Sequence, residues 1–244
     1  MAFEFPGDVY ETIRAGMRDV VSETDFLAGL LPAGGRVLDL GSGAGTTLRA
    51  LAERGFEGVG VDESATFVDY AKGRSGSGER YAHASFADFE TDETFDLVTC
   101  LFATVNMVDP AELPALLVKV RRMLKPGGRL VLEAAHLLNF VEGFQPTQLT
   151  HHTGADGTVV TRLARISVQP HDAVWRNEET LVVGVSGGAA TLYHNFFGQW
   201  VLTAPELRNL LTAAGFRVTA EHGSFRSTPP MGRGPLIQVA EVAP

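Results

Sequence analysis

The chain has 244 residues, 45% of them hydrophobic and 20% charged, which is enough to bury the core of one globular domain. Its 29 acidic and 20 basic residues give a formal net charge of -9, which disfavours a nucleic-acid partner because no basic patch offsets it. A single cysteine, Cys100, excludes an internal disulfide, and the lack of a signal-peptide pattern or a long apolar run indicates a soluble, cytoplasmic protein without a membrane partner.

The predicted elements begin with a helical lid over residues 1–31, in which Val9, Ile13 and Met17 recur at helical spacing. From residue 32 to 140, short buried-strand runs then alternate with amphipathic helices. This alternation is typical of right-handed βαβ units, whose helices cover both faces of a parallel sheet. We expect these residues to form a ligand-binding core.

The pattern changes over residues 141–201, where polar and apolar positions alternate as in strands and helical signals are weak. Residues 202–244 resume the earlier pattern, with one helix that begins after Thr203 and stops at Gly215, followed by two strands. We therefore predict an α/β, Rossmann-like fold. It has a doubly wound, mostly parallel sheet, an antiparallel strand insertion that covers the substrate, and an N-terminal helical lid.

The stretch VLDLGSGAGTT, Val37–Thr47, predicts a strand that ends in a glycine loop and opens a helix. Such a loop presents backbone N–H groups to a ligand at the carboxyl edge of the sheet. A dinucleotide fingerprint requires a glycine where this chain has Thr46, and Asp39 suits a ligand with an ammonium and a sulfonium better than a pyrophosphate. Asp62 ends the next strand at the spacing of a ribose-binding carboxylate, which fits nicotinamide and adenosyl ligands alike.

Four segments in register then identify a family. VLDLGSGAGTTLRALAERG, GVGVDES, FDLVTCLF and RRMLKPGGRLVLE resemble the successive motifs of class I S-adenosylmethionine-dependent methyltransferases. The resemblance covers about residues 33–140 and, in outline, 202–243, and the layout is similar to small-molecule N-methyltransferases. It implies S-adenosyl-L-methionine as cofactor and a small-molecule substrate.

The resemblance also implies roles for individual residues around the glycine loop. Asp39, Gly41 and Gly43 would lie beside the methionine portion of the cofactor. Asp62 would accept hydrogen bonds from the ribose hydroxyls, and Glu63 would lie against the adenine.

Further cofactor contacts are implied farther along the chain and in the lid. Ser85 and Phe86 stand where relatives have an acidic and an apolar residue beside the adenine, so Ser85 departs from the pattern and Asp88 is a possible substitute. The carbonyl of Leu101 would accept from the cofactor's amino group. From the lid, Tyr10 and Arg14 would close over the cofactor, although both could instead be surface residues of an amphipathic helix.

Two residues are candidates for the chemistry. An amine acceptor needs only to be neutral and oriented, whereas a hydroxyl usually needs a general base or a metal. His136, after the fifth strand, is the best-placed base, and Asn106, after the fourth, could hold a polar group of the substrate. Both could instead satisfy their own loops. His151 and His152 are adjacent on an extended segment and point to opposite faces, so no metal is predicted.

The aromatic segment YHNFFGQW predicts substrate contacts at Tyr193, His194 and Trp200, because rings above the sheet edge would suit an amine; alternatively it covers the core.

We expect N-methylation of a small organic amine, for example a natural-product intermediate. The alternative is O-methylation with His136 as general base. A nicotinamide-dependent oxidoreductase and a non-catalytic binding protein of the same fold are less well supported. A homo-oligomer is possible through an exposed sheet edge.

Overall fold

The structure is a computed structural model that describes residues 3, 5–136, 144–226 and 234–243. It contains two sheets whose strands are β1 (Arg36–Leu40), β2 (Glu57–Asp62), β3 (Glu79–His83), β4 (Phe95–Cys100), β5 (Leu124–Ala134), β6 (Thr147–Thr153), β7 (Thr158–Gln169), β8 (Val174–Val185), β9 (Ala190–Trp200), β10 (Phe216–His222) and β11 (Leu236–Val242). The helices are α1 (Gly7–Met17), α2 (Val20–Ala28), α3 (Thr46–Ala52), α4 (Ala65–Lys72), α5 (Leu113–Met123) and α6 (Ala204–Ala213), with a 3-10 turn at Thr104–Met107.

The central sheet has seven strands in the order β10-β11-β5-β4-β1-β2-β3. Strands β1 to β5 pair in parallel, whereas β11 runs antiparallel to β5 and β10 antiparallel to β11. The chain order reverses between β1 and β4, which are neighbours in the sheet. Ligands of open α/β sheets bind in the crevice beyond the carboxyl ends of the strands at such a point.

The parallel strands of the core are runs of buried apolar residues, as the sequence pattern predicts. Strand β1 is buried over Val37–Leu40, and the pattern of β4 is equally apolar, because helices cover both faces of the sheet. Two clusters of buried side chains fill these faces, one containing Leu38 and Val98 and the other Val37 and Leu97. The predicted fold class is confirmed.

The N-terminal region differs from the single helical run that its spacing predicts. Helix α1 ends before Arg18, and α2 starts after Asp19, whose side chain accepts a 3.1 Å hydrogen bond from the backbone N–H of Ser22. An aspartate in this position is a favourable N-cap because it pairs an N–H that the helix leaves unsatisfied. The local cap therefore divides the lid into two helices.

The predicted strand insertion is a separate four-stranded antiparallel sheet in the order β6-β7-β8-β9. Val160 and Leu181 on its inward face pack against Phe5, Val9 and Ile13 of the N-terminal segment. The insertion and the lid thus share a hydrophobic cluster beside the carboxyl edge of the central sheet. Among the residues that the structure describes, no helix is long and apolar enough to cross a membrane.

Candidate active site

A cavity of about 680 Å³ lies at the carboxyl edge of the central sheet, next to the β1 and β2 ends. Its volume is in the range of small-molecule sites in proteins. We call it the cofactor cavity. Seven of the residues predicted to bind the cofactor line it: Tyr10, Gly41, Gly43, Asp62, Glu63, Ser85 and Phe86.

The glycine loop after β1 forms one wall of the cofactor cavity and has no room for side chains. Gly43 has a φ of 54°, and a Cβ atom there would lie 2.8 Å from a ring carbon of Tyr10. A Cβ on Gly41 would lie 2.4 Å from the Thr104 side chain. The loop therefore brings bare backbone to the cavity, as the adenosyl sulfonium ligand predicted from the sequence requires.

Asp62 ends β2 with both carboxylate oxygens oriented by backbone groups. Oδ2 accepts a 2.8 Å hydrogen bond from the N–H of Gly43, and Oδ1 accepts a 2.9 Å bond from that of Ser64. Burial raises the pKa of this carboxyl, while the two N–H groups act in the opposite direction. Each oxygen keeps acceptor capacity for a ligand hydroxyl.

Asp39 lies at the end of β1, buried just before the glycine loop and outside the cavity lining. Its Oδ1 accepts a 2.6 Å hydrogen bond from the hydroxyl of Thr99 on β4. Burial raises the pKa of Asp39 to about 6, which the Thr99 hydroxyl and the charge of Arg14 partly offset. A cationic ligand above the loop would favour the ionised carboxylate.

The turn after β4 contains two consecutive residues in a backbone conformation that non-glycine residues rarely adopt. Phe102 has a φ of 55° and Ala103 a φ of 60°. The N–H of Phe102 donates a 2.8 Å hydrogen bond to Glu133 of β5, which holds the turn in place. Backbone strain of this kind is concentrated at functional sites.

Leu101 and Arg14 do not line the cofactor cavity. Leu101 is buried, and its carbonyl accepts a 3.1 Å hydrogen bond from the N–H of Thr104, which leaves a second lone pair for the predicted contact. Arg14 donates to Glu23 at 2.8 Å and to Thr47 at 2.6 Å, with 5% of its side chain exposed. Its contacts favour a structural role over direct closure of the cavity.

Arg14 belongs to a network of buried charges that ties the lid to the core. Glu23 of α2 also pairs with Arg18, and Arg18 in turn pairs with Glu133 of β5. The guanidinium of Arg18 lies 5.1 Å from the ring centre of Phe102. The two lid helices, β5 and the strained turn are therefore linked through one set of ion pairs.

The adenine side of the cavity differs in one detail from what the family pattern implies. Ser85 donates a 2.6 Å hydrogen bond to Asp88, but Asp88 is exposed and outside the cavity lining. Glu90 lines the cavity instead and forms a 2.8 Å ion pair with Lys119. The sequence analysis did not single out Glu90, because the segment after β3 has no helical or strand periodicity that would show which side chains face the cavity.

A second cavity of about 500 Å³ lies between the central sheet and the inward face of the β6–β9 sheet. We call it the acceptor chamber. Phe3, Tyr10, Thr104 and Met107 line both this chamber and the cofactor cavity, so the two spaces meet at these four residues, which we call the junction. Beyond the junction the described lining includes Phe102, Phe144, Trp175, Phe197, Gln145, Gln148, Gln199, Arg18, Glu133, Arg162 and Glu179.

His136 and Asn106, the predicted catalytic residues, are outside this lining. His136 is 3% exposed, and its Nε2 lies 3.0 Å from the carbonyl of Gly234. Asn106 is fully buried: its amide group donates to the carbonyls of Ala135 and Trp200, and its Oδ1 accepts from the N–H of Ala135. These contacts favour structural roles over catalytic ones for both residues. The sequence shows which strand each residue follows, but it does not show the direction in which the side chain points.

The aromatic segment of β9 directs only some of its side chains toward the acceptor chamber. Tyr193 packs with the hydrophobic cluster of the lid, and His194 is on the opposite, exposed face, 3.1 Å from the Thr180 hydroxyl. Neither these two residues nor Trp200 line the acceptor chamber, whereas their neighbours Phe197 and Gln199 do. Side chains alternate along a strand, so Phe197 and Gln199 face the chamber, and substrate contact at Tyr193, His194 and Trp200 stays a prediction.

No metal-binding group of three or more histidine, cysteine, aspartate or glutamate residues occurs in the described ranges. His151 is exposed and His152 is buried, in line with the alternation of a strand. His152 lies 3.0 Å from the hydroxyl of Thr150.

Three comparisons with known proteins agree with this geometry. Residues 37–128 match a family described as a methyltransferase domain. A cypemycin N-terminal methyltransferase from a Streptomyces species is 34% identical over 205 residues, which cover 81% of this chain and 79% of that protein. A ubiquinone biosynthesis O-methyltransferase from Aromatoleum aromaticum is 28% identical over 62% of this chain and 74% of its own.

Among solved structures, an amino pentose methyltransferase of calicheamicin biosynthesis from Micromonospora echinaspora, with S-adenosylmethionine bound, is similar over the whole chain. The two share 27% identity and a TM-score of 0.75, and the match covers 100% of this chain and 99% of that one.

Proposed function

Because the chain belongs to the class I S-adenosylmethionine-dependent methyltransferases, we propose that it methylates the nitrogen of a small organic amine. The observation that carries this proposal is the described lining of the acceptor chamber, which contains no histidine, lysine, cysteine or aspartate. A hydroxyl acceptor usually needs a base or a metal, whereas an amine can react as the free base once it is oriented.

The two carboxylates of the chamber lining are already engaged by other groups. Glu133 pairs with Arg18 and accepts from the N–H of Phe102, and Glu179 accepts a 2.6 Å hydrogen bond from Arg162. Donors of the protein itself therefore occupy part of the acceptor capacity of both carboxylates. Both are placed for recognition of a polar acceptor.

S-adenosylmethionine supplies an electrophilic methyl group. The chain's own residues would align the acceptor nitrogen with it and exclude water. The four junction residues supply two aromatic rings, a methionine side chain and a threonine hydroxyl where the two cavities meet. Aromatic faces attract cations, and the acceptor nitrogen gains positive charge as it takes up the methyl group, so Phe3 and Tyr10 support an amine at this place.

The names of two relatives support the nitrogen acceptor. The cypemycin enzyme is an N-terminal methyltransferase, and the Micromonospora enzyme acts on an amino pentose. The Aromatoleum relative is an O-methyltransferase, so O-methylation is the alternative. For that reaction the predicted base, His136, would have to leave its contact with Gly234.

The experiment that tests the proposal offers matched acceptors to the purified protein with S-adenosylmethionine. Glucosamine is compared with glucose, and a short peptide with a free N-terminus is compared with its acetylated form. We expect S-adenosylhomocysteine release and one added methyl group only with the free amine of a pair. Methylation of the hydroxyl compound at the same rate would overturn the proposal in favour of the alternative. The Asp62→Ala variant controls for background turnover.

A further inference from the structure

The sheet wall of the acceptor chamber carries a cluster of polar side chains that methyl transfer itself does not require. These residues all lie on the inward face of the β6–β9 sheet, and three of them, Gln148, Arg162 and Glu179, line the chamber. Polar groups on a covered face cost free energy unless they are paired or bind a ligand. The full cluster is Gln148, Arg162, Asn177, Glu179 and Asn195.

Glu179 is the saturated member of this cluster. Its Oε2 accepts from Nε of Arg162 at 2.6 Å and from the amide of Asn177 at 3.2 Å. Its Oε1 accepts from the amide of Asn195 at 3.4 Å. With 6% of its side chain exposed, this carboxylate has three donors around it and little need of a further cation.

Arg162 is the member of the cluster that keeps unused hydrogen-bond donors. A guanidinium has five N–H donors, and the structure engages Nε with Glu179 and Nη1 with Gln148, the latter at a long 3.4 Å. The terminal N–H groups that remain belong to a side chain that is 11% exposed and lines the chamber. The Nε bond to Glu179 fixes the plane of the guanidinium.

The other charged groups of the described chamber lining have no such surplus. Arg18 donates Nε and Nη2 to Glu23 and Nη1 to Glu133, and two aromatic rings lie near it. Glu133 accepts from Arg18 and from the N–H of Phe102. A ligand that enters the chamber with a charged group would therefore find its free partner at Arg162.

We propose that Arg162 binds an anionic oxygen group, a carboxylate or a phosphate, on the methyl acceptor, while the acceptor's amine lies at the junction. Fork-shaped pairing of a guanidinium with either group is strong and directional. This proposal rests on the proposed amine methylation only for the placement of the amine. The anion site itself is open to a test that needs no turnover.

The test measures binding of small aromatic anions by calorimetry to the full chain saturated with S-adenosylhomocysteine. Benzoate probes for a carboxylate, phenyl phosphate probes for a phosphate, and benzamide is the neutral comparison of similar shape. We expect at least one anion to bind about tenfold more tightly than benzamide, and Arg162→Gln to abolish that preference. Whichever anion is preferred identifies the source of the charge.

Arg165→Gln is the matched control, because Arg165 is on the same strand but on the exposed, outward face. It removes the same charge and should leave anion binding unchanged. Gln148→Leu is a second variant that spares the ion pair, and it should weaken anion binding about threefold if the amide assists Arg162. Equal loss in the Arg162 and Arg165 variants would overturn the proposal, as would equal binding of benzamide and both anions by the wild type.

The two proposals fail in distinguishable ways. Anion binding that depends on Arg162, without methylation of any amine pair, would remove the proposed function and keep the anion site. Amine methylation without an anion preference would keep the proposed function and remove the anion site.

Discussion

The backbone N–H of Gly43 donates a 2.8 Å hydrogen bond to Oδ2 of Asp62, so the glycine loop and the end of β2 are joined at the cofactor cavity. The bond orients the carboxylate before any ligand arrives. Because the N–H of Ser64 holds the other oxygen, the side chain has little freedom to turn away.

The first prediction concerns Asp62→Asn. Replacing one carboxylate oxygen by an NH2 group places a donor against the Gly43 or Ser64 N–H and removes an ionised acceptor. Hydrogen bonds to charged groups contribute about 1.5–3 kcal/mol, so we expect roughly ten- to hundredfold weaker S-adenosylhomocysteine binding by calorimetry. Asp69→Asn, at an exposed position of α4, is the control for the charge change and should bind normally.

The second prediction compares two glycines with positive φ. Gly43→Ala puts a Cβ 2.8 Å from the Tyr10 ring, whereas the same change at Gly127, with a φ of 77°, meets nothing within 4 Å. Both should lower the free energy of unfolding by about 1–2 kcal/mol. Only Gly43→Ala should also weaken cofactor binding, by tenfold or more. Equal effects on binding would show that the contact with Tyr10 is unimportant.

The third prediction concerns the buried charges of the lid. Glu23 is fully buried between Arg14 and Arg18, so Glu23→Ala would leave Arg14 without a carboxylate partner and Arg18 with Glu133 alone. Breaking a buried pair in this way costs about 3–5 kcal/mol, which urea denaturation would detect. The exposed pair of Arg217 and Glu241 is the comparison, and Arg217→Gln should cost less than about 1 kcal/mol. Similar losses in both variants would contradict this reading of the network.

The fourth prediction is a pH dependence from Asp39. Burial raises its pKa to about 6 in the folded chain, above the ordinary value of 3.8, so the folded state binds this proton more tightly than the unfolded state. The contribution of Asp39 to stability is therefore greatest below pH 3.8 and is lost as pH rises through about 6. At pH 7.5, Asp39→Asn should stabilise the ligand-free protein by up to about 3 kcal/mol.

Denaturation of wild type and Asp39→Asn between pH 4.5 and 7.5 isolates this effect, because other titrating groups are common to both proteins. The difference in unfolding free energy should grow with pH. A difference independent of pH would mean that Asp39 titrates below this window.

The sequence predicted the parts of the fold that depend on short-range patterns. Buried runs, glycine turns and the acidic ends of β1 and β2 are local features, and the family resemblance covered them. Asp62 and Gly43 are therefore placed at the cofactor cavity as expected, while their roles in binding stay a prediction.

The acceptor chamber was harder to predict because its walls come from distant parts of the chain. Arg162 and Glu179 carry no motif, and nothing local shows that they lie on the covered face of a sheet. His136 and Asn106 lie after the expected strands, but their side chains turn to nearby backbone groups. The order of the strands predicted that both residues lie near the carboxyl edge of the sheet, but it could not predict the direction of their side chains.

The shared junction gives the two ligands a common set of side chains through which binding of one would affect binding of the other. Phe3 and Tyr10 contribute to both cavities, so a ligand that settles these rings in one cavity changes the shape of the other. By linkage, whatever factor S-adenosylhomocysteine adds to acceptor affinity, the acceptor must return to S-adenosylhomocysteine. With strong positive coupling, S-adenosylhomocysteine and the methylated product would hold each other in place after the transfer, and release of either one would speed release of the other.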